Sequence, residues 1–281
     1  MHDVFKRLTK HLEPDTSIPS AVMLGKDGYN AVPFASENFH AIPSATPATM
    51  AFIDGGNAEL SSGPNFSLHF IRTAAVIGKK IVQEEAFCLV RAVQENGKLV
   101  YRTELLGIEG IRLPTIDLYE PSLAEGNHRV QPSRVAELAR TLAELRLAAW
   151  VMPELPKGAF LVRDGDLHAH TLYEQNSLRE LYERARIQGV TVAGVSKTSM
   201  LLMDTGHGAL PFLMAKGPVT AWYYHPIATS TRPDHQASVC VAKLHARARH
   251  AFRIDIHDEH LPFLQDLMVQ LATESQDAAF L

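Results

Sequence analysis

The sequence has few cysteines and no long run of apolar residues. Of its 281 residues only Cys88 and Cys240 are cysteine, and they stand apart, without a C-x-x-C pair. This excludes a disulfide framework and a cysteine zinc site, and it favours a reducing compartment. No apolar run approaches the ~18–20 residues of a membrane span, and residues 1–15 alternate charged with apolar side chains where a signal peptide needs an apolar core. We therefore expect a cytoplasmic protein with no membrane partner.

The chain also lacks a strong excess of charge of either sign. It has 27 Lys and Arg against 31 Asp and Glu, a net charge of −4, while 46% of its residues are apolar. The apolar content is enough for a folded core, and it excludes disorder as the overall state. Because the net charge is slightly negative, no general attraction to nucleic acid is expected, and any phosphate binding has to be local.

The first 48 residues differ from the rest of the sequence. Residues 1–13 place apolar side chains at helical spacing, and residues 14–48 are rich in proline, glycine, serine and threonine. We predict a short amphipathic helix followed by an extended arm. The helix could pack on its own chain or on a partner, and its apolar positions are Val4, Phe5, Leu8 and Leu12. Residues 49–281 are predicted to form one domain.

The pattern of residues 49–106 predicts an antiparallel meander. Residues 49–56 form an apolar run that stops at two glycines, which is typical of a buried strand followed by a turn. Three further strand patterns follow, at residues 66–78, 84–94 and 98–106. Asn96 and Gly97 separate the last two and are a strong hairpin signal.

The second half of the chain alternates helix and strand patterns. A helix is predicted at 133–151, a strand at 159–165, a helix from the Ser177–Glu180 capping box to about Gln188, and a strand at 190–197. The last three form a βαβ unit, so their strands should be parallel neighbours. Strands at 237–245 and 250–256 and a helical stretch at 260–280 complete an α/β fold with a mixed sheet and flanking helices.

Two aspartates end apolar strands of this predicted sheet. Asp54 precedes Gly55 and Gly56, and Asp164 precedes Gly165. One such aspartate is equally well explained by an Asx turn. Two at the carboxyl edge of an α/β sheet repel each other unless a cation lies between them, and their oxygen ligands suit Mg²⁺ or Mn²⁺.

A third carboxylate is expected from the helix at 133–151. Glu137 is surrounded by Arg134, Arg140 and Thr141, which is typical of a solvated helix face. Glu144 has Leu147, Ala148 and Val151 as its helical neighbours. A carboxylate among apolar side chains is costly without a partner or metal, so we choose Glu144. An aspartate on the first strand, a meander, a helix glutamate and an aspartate on the next strand resemble the ribonuclease H-like nuclease fold.

Basic residues could provide phosphate contacts near this edge. Lys197 ends the strand at 190–197, where an ammonium group would bind a phosphate. A second basic cluster contains Lys243, Arg247 and Arg253, which could contact a nucleic-acid backbone or form only a solvated face. The histidine pairs His168/His170 and His257/His260 have zinc-like spacing, but no third ligand is defined, so zinc is disfavoured.

Four segments in this order resemble the NurA family of DNA-repair nucleases. They are FIDGG at 52–56, FLVRDGDL at 160–167, GVSKTS at 194–199 and VAKLHARARHAFRIDI at 241–256. The resemblance implies a ribonuclease H-like, Mn²⁺-dependent nuclease, with Mg²⁺ as an alternative ion in a two-metal site. It implies that Asp54 and Asp164 are metal ligands and that Lys197 is an active-site lysine. Asp255 is a candidate fourth acid, or else half of an exposed pair with Arg253.

The resemblance also implies partners and a biological role. Members of this family act as single-strand endonucleases and 5′-to-3′ exonucleases in the end resection of DNA double-strand breaks. They work as homodimers on a HerA-like hexameric ATPase. The alternative for this chain is a catalytically weak adaptor that clamps DNA for a motor ATPase, and the intact Asp54, Asp164 and Lys197 count against it.

Overall fold

The computed structural model describes residues 22–23, 28–43, 48–111 and 113–275 of the chain. The predicted helix at residues 1–13 lies outside the described residues. The chain divides into two compact units. The meander unit comprises Thr49–Asp164 and Ala169–Val192, and the C-terminal unit comprises Met1–Ala48, Gly165–His168 and Ala193–Leu281.

The helices and strands of the described residues are numbered in chain order. The strands are β1 (Val22–Met23), β2 (Tyr29–Ala31), β3 (Phe39–Ala41), β4 (Met50–Gly63), β5 (Phe66–Ile77), β6 (Lys80–Glu95), β7 (Lys98–Leu106), β8 (Ile116–Asp117), β9 (Phe160–Asp164), β10 (Thr191–Ser196), β11 (Leu202–Met203), β12 (Trp222–Tyr224), β13 (Ala228–Ser230), β14 (Ala237–Lys243) and β15 (Phe252–His257). The α-helices are α1 (Pro132–Val151), α2 (Leu172–Gln188), α3 (Ala209–Lys216) and α4 (Leu264–Glu274). Short 3₁₀ segments lie at Ser36–Asn38, Met152–Glu154 and Asp258–Phe263.

The meander unit has a mixed sheet, as the sequence predicts. Its strands lie in the order β9-β4-β5-β6-β7-β8, with β9 parallel to β4 and the other pairs antiparallel. The hairpin between β6 and β7 turns at Asn96 and Gly97, whose φ angles of 51° and 79° are the positive values that this tight turn requires. β10 starts in this unit, where the N–H of Thr191 donates to the carbonyl of Ala159 at 2.9 Å. The predicted α/β fold class is confirmed.

Helix α1 covers one face of the meander. Its apolar residues repeat at helical spacing and pack on buried residues of β5, β6 and β7. The helix face that this spacing predicts to be buried therefore forms part of the core of this unit. The core residues include Ile71, Cys88, Val90, Tyr101, Val135, Leu138 and Leu142.

Two predicted boundaries in the meander unit are wrong. β4 does not stop at Gly55 and Gly56 but continues to Gly63, because its backbone pairing with β5 runs on through both glycines. Helix α2 begins at Leu172 instead of at the predicted Ser177. Its capping box is formed by Thr171 and Glu174, so the second S-x-x-E pattern lies inside the helix. Gly189 ends α2 with a φ of 70°, as the sequence predicts.

The C-terminal unit is built mainly from antiparallel pairs. Strands β3, β12, β14, β15 and β10 lie in that order, while β1 pairs with β11 and β2 pairs with β13. The described part of the predicted arm therefore contributes strands to this unit. Its core packs around α3 and β12 and contains Phe212, Leu213, Trp222, Tyr224, Val239 and Val241. Among the described residues, no helix is long and apolar enough to cross a membrane.

Candidate active site

Asp54 and Asp164 occupy equivalent positions on the two parallel strands. The parallel pairing of β4 with β9 ends at Ile53 and Arg163, and each aspartate is the next residue on its strand. Both side chains are exposed. Since side chains in register on parallel strands share one face, the two aspartates lie on the same face of the sheet. The N–H of Gly55 donates to Asp54 Oδ1 at 2.7 Å, which fixes the direction of that carboxylate.

Glu144 is a buried carboxylate on α1, with 1% of its surface exposed. It accepts hydrogen bonds from Arg140, one helical turn earlier, and from Arg163 Nε at 3.4 Å. Gly55 lies directly against it, since a Cβ at that position would be 2.6 Å from Glu144 Oε1. Only a glycine leaves room for this carboxylate beside β4.

Glu144 contacts residues that lie next to the two aspartates on their strands, and the charge of Asp54 is near enough to help raise the pKa of Glu144. Successive residues of a strand face opposite sides, and both Gly55 and Arg163, which contact Glu144, alternate with an aspartate. Within the described part of the chain, no group of three or more His, Cys, Asp or Glu side chains is placed to hold a metal ion. Asp54 and Asp164 therefore follow paired residues on two adjacent parallel strands, whereas Glu144 is bound by two arginines.

The electrostatic setting of Glu144 agrees with its predicted apolar surroundings. Burial raises the pKa of Glu144, and the nearby guanidinium groups of Arg163 and Arg140 only partly oppose that shift. Glu137, the rejected candidate, is solvated and binds Arg134 at 3.0 Å. The sequence therefore predicted which glutamate is buried but not its contacts with arginine, and its role as the third carboxylate stays a prediction.

The predicted basic residues fall into different environments. Lys197 follows the end of β10 and is exposed, and Arg247 is exposed in the turn after β14. Lys243 is buried, and its Nζ donates to the carbonyl of Val219 at 2.8 Å. A lysine held inside the C-terminal unit does not have the exposed position that a phosphate contact needs. Arg253 is directed at carboxylates, with Nη1 3.4 Å from Asp166 Oδ2.

Asp255 lies at the centre of a buried network and not in an exposed pair. Its carboxylate, 0% exposed, accepts two hydrogen bonds from Arg253, at 2.7 and 2.8 Å. It also contacts His235 Nε2 at 2.8 Å and accepts from the N–H of Leu167 at 3.1 Å. Burial alone would raise the pKa of Asp255, but Arg253 and His235 outweigh it and hold the pKa well below its usual range. Tyr29 completes the network through a contact of 2.9 Å between its hydroxyl and His235 Nδ1.

The predicted zinc pairs have other neighbours. His168 Nε2 lies 3.4 Å from Asp234 Oδ2, and the rings of His257 and His260 are 5.1 Å apart. Burial lowers the pKa of His260 to about 4, so this side chain is neutral at pH 7.

Three residues that contact Glu144 or Asp255 were not predicted as site residues from the sequence. Arg140 is four residues before Glu144, and this spacing could have predicted the ion pair. Arg163 occupies the strand position before Asp164, so strand alternation would have placed it on the helix side. His235 lies in a glycine- and proline-rich stretch, and only the tertiary structure connects it with Asp255.

Comparisons with known proteins show a shared fold. No family model matches the chain, and no curated protein matches it. The structure is similar to that of the NurA nuclease from Sulfolobus solfataricus, with 11% identity and a TM-score of 0.54, over 96% of this chain and 81% of that chain. A structure of NurA with manganese gives 9% identity and a TM-score of 0.52, over 99% and 95% of the two chains. The chain therefore has the mixed α/β fold of the NurA nuclease structures.

Proposed function

We propose that this protein is a divalent-metal-dependent deoxyribonuclease. The observation that carries the proposal is the pair of exposed aspartates, Asp54 and Asp164, in register on one face where the two parallel strands part. Two carboxylates at adjacent positions repel each other and lower the cost of binding a cation there. The NurA-like fold supports the same activity.

The residues at this edge fit Mn²⁺ or Mg²⁺. Asp54 and Asp164 offer oxygen ligands, which hard divalent ions prefer. Bound ions would supply an activated water and neutralise charge on the scissile phosphate. Glu144 stays the proposed third carboxylate of a two-metal site. Its contacts with Arg140 and Arg163 would have to open before it could serve as a ligand.

The other proposed roles belong to cationic side chains. The exposed ammonium group of Lys197 would bind a phosphate oxygen and stabilise the charge that develops on it. Exposed Arg247 would contact the DNA backbone, where charge neutralisation supplies affinity without sequence preference. The carboxylate of Asp255 is bound by Arg253 and His235. Through its hydrogen bond with the Leu167 N–H, this network would hold the backbone near residue 167 in place.

The finer parts of the proposal rest on the four sequence segments that resemble the NurA family. They are single-strand endonuclease and 5′-to-3′ exonuclease activity, a role in the end resection of double-strand breaks, a homodimeric state and docking on a HerA-like hexameric ATPase. The proposed compartment is the cytoplasm.

The direct test is cleavage of labelled single- and double-stranded DNA with Mn²⁺, Mg²⁺ or EDTA. We expect metal-dependent cleavage by the wild type and a loss of about a thousandfold or more in Asp54→Asn and in Asp164→Asn. Asp117→Asn is the matched control, because Asp117 is also an exposed strand aspartate of the meander unit. DNA binding without cleavage under all conditions would favour the adaptor. Cleavage retained in either site variant would contradict the assignment.

A further inference from the structure

Arg140 joins helix α1 to the strand that carries Asp54. Its Nη1 donates a hydrogen bond to the carbonyl of Gly55, the residue after Asp54 on β4, at 3.2 Å. The same nitrogen donates to Glu144 Oε1, one helical turn later on α1. One guanidinium nitrogen therefore binds both a backbone carbonyl of the sheet and a carboxylate of the helix.

Gly55 is hydrogen-bonded by side chains at both of its backbone polar groups. Its N–H donates to Asp54 Oδ1 at 2.7 Å, and its carbonyl accepts from Arg140. Alternate residues of a strand turn their polar groups to the same edge, and the carbonyl of Thr49 accepts from the N–H of Phe160 on the β9 side. The register of β4 with β9 ends before Asp54. Arg140 therefore binds β4 on the edge where its pairing with β9 has ended.

The carboxylate that holds Arg140 is itself bound from a second strand. Glu144 is 1% exposed, and its Oε2 lies 3.4 Å from Nε of Arg163, the residue before Asp164 on β9. Side chains thus connect β4, α1 and β9 at the level where the backbone pairing of the two strands ends. Each of the two aspartates, Asp54 and Asp164, is therefore next in sequence to a residue of this cluster.

The backbone after Asp54 needs such a contact because two glycines follow it. Gly55 and Gly56 have the widest range of backbone angles of any residue type. A ligand group that moves freely loses this motion when it binds an ion, and the affinity falls accordingly. Arg140 restricts Gly55 before any ion binds, and the Gly55 N–H in turn fixes the direction of the Asp54 carboxylate.

We propose that Arg140 is a positioning residue for Asp54. It acts through the Gly55 carbonyl and sets the affinity of the site for a divalent ion without being a ligand. This inference rests on the proposed metal-dependent function, in which Asp54 is a ligand. It adds a residue that the four sequence segments do not contain, because Arg140 lies on α1 between them.

The manganese affinity of Arg140→Gln tests the direction of this effect. On charge alone, the loss of a cation beside carboxylates should tighten the binding of Mn²⁺. If Arg140 positions Asp54, binding should instead weaken, and we expect the dissociation constant to rise about tenfold. Electron paramagnetic resonance of unbound Mn²⁺ measures it on the full chain without DNA. A constant that is unchanged or lower would overturn the proposal.

Arg134→Gln is the matched control for the lost charge. Arg134 lies on the same helix and binds Glu137 at 3.0 Å, so this variant also removes one positive charge and one ion pair of α1. Its manganese affinity should equal that of the wild type. If it weakens as much as in Arg140→Gln, the charge of the helix and not the contact with Gly55 decides the affinity, and the positioning role is wrong.

Hydrogen exchange at the Gly55 amide reports the contact itself. Mass spectrometry of the metal-free protein should show this amide exchanging about tenfold faster in Arg140→Gln than in the wild type. Arg140→Lys should restore slow exchange, because its ammonium group keeps the charge beside Glu144 and can still donate to the Gly55 carbonyl. Equal exchange in all three proteins would overturn the proposal, as would a lysine variant that exchanges as fast as Arg140→Gln.

Cleavage kinetics separate positioning from a direct part in the reaction. Arg140→Gln should need about tenfold more Mn²⁺ for half of its maximal rate, yet reach nearly wild-type turnover at saturating Mn²⁺. A much lower turnover at saturation would show that Arg140 acts on the reaction itself. A wild type that binds no divalent ion would contradict the proposed function. Equal affinities of the wild type and Arg140→Gln would contradict the positioning role alone.

Discussion

Among the described residues, each unit of the molecule buries one carboxylate to 1% exposure or less, and the two carboxylates have different partners. In the C-terminal unit, Asp255 receives a two-bond contact from Arg253, a contact from His235 and a backbone N–H. In the meander unit, Glu144 is bound by Arg140 and, at 3.4 Å, by Arg163. The pKa of Asp255 is lowered despite its burial, whereas burial raises the pKa of Glu144.

The number and quality of donors explain the difference. A buried charge that receives several well-aligned hydrogen bonds keeps its charge and holds its neighbours in place. A buried charge with fewer donors is only partly compensated, and it can exchange partners at a lower cost. These contacts fit a structural role for Asp255 and the functional role proposed for Glu144.

The largest effect is expected on stability, from the removal of Asp255. Asp255→Ala leaves Arg253 buried without its main counter-charge, which should lower the free energy of unfolding by about 3–5 kcal/mol. Glu144→Ala should cost about 1–3 kcal/mol, because a quarter of the Arg140 side chain is exposed and can be solvated. Urea unfolding followed by circular dichroism measures both. A larger loss for Glu144→Ala would reverse the comparison.

Two lysines of the C-terminal unit repeat the contrast between a buried and an exposed charge. Lys197→Ala should lower turnover about a hundredfold without changing metal affinity, because an exposed ammonium acting on phosphate is not a metal ligand. Lys243→Met should leave turnover unchanged and reduce stability, because it removes the hydrogen bond to Val219. Steady-state kinetics and calorimetry measure the two effects. If metal affinity falls in Lys197→Ala, that lysine organises the carboxylates instead.

The functional role proposed for Glu144 predicts a smaller change in activity. Glu144→Gln should slow metal-dependent cleavage by about tenfold or more, because the amide has no charge for an ion or for the two arginines. Glu137→Gln is the control on the same helix and should cleave like the wild type, because Glu137 is solvated. Equal rates in the two variants would show that the buried position has no functional consequence.

The smallest effect is expected on the pH dependence of stability. The pKa of Asp255 is lowered on folding, so its charged form stabilises the folded state. This contribution to the free energy of unfolding is present above the ordinary pKa of about 4 and is lost as the pH falls below it. The pKa of Glu144 is raised on folding, so its contribution to the free energy of unfolding changes in the opposite direction. That contribution falls as the pH rises through the raised pKa. Thermal unfolding of Asp255→Asn should therefore depend less on pH below about pH 4 than that of the wild type. If the unfolding temperature of Asp255→Asn depends on pH below about pH 4 as strongly as that of the wild type, the lowered pKa of Asp255 is contradicted.

Local patterns predicted much of the fold. The apolar period of α1, the Asn96–Gly97 turn and the strand that ends at Asp164 all lie within short segments, where side-chain spacing decides the structure. The start of α2 was misplaced because two capping patterns occur six residues apart, and only packing selects Thr171. β4 was predicted too short, because pairing with β5 overrides the tendency of glycines to end a strand.

The sequence by itself determined the α/β class, the position of Asp164 at the end of its strand, and the burial of Glu144. These features follow from periodicity and from the neighbours of each residue along the chain. The tertiary structure alone decided which charges meet: Arg163 with Glu144, His235 with Asp255, and Lys243 with a backbone carbonyl. Partners far apart in sequence are chosen by the pairing and alternation of strands, and no local pattern records that choice.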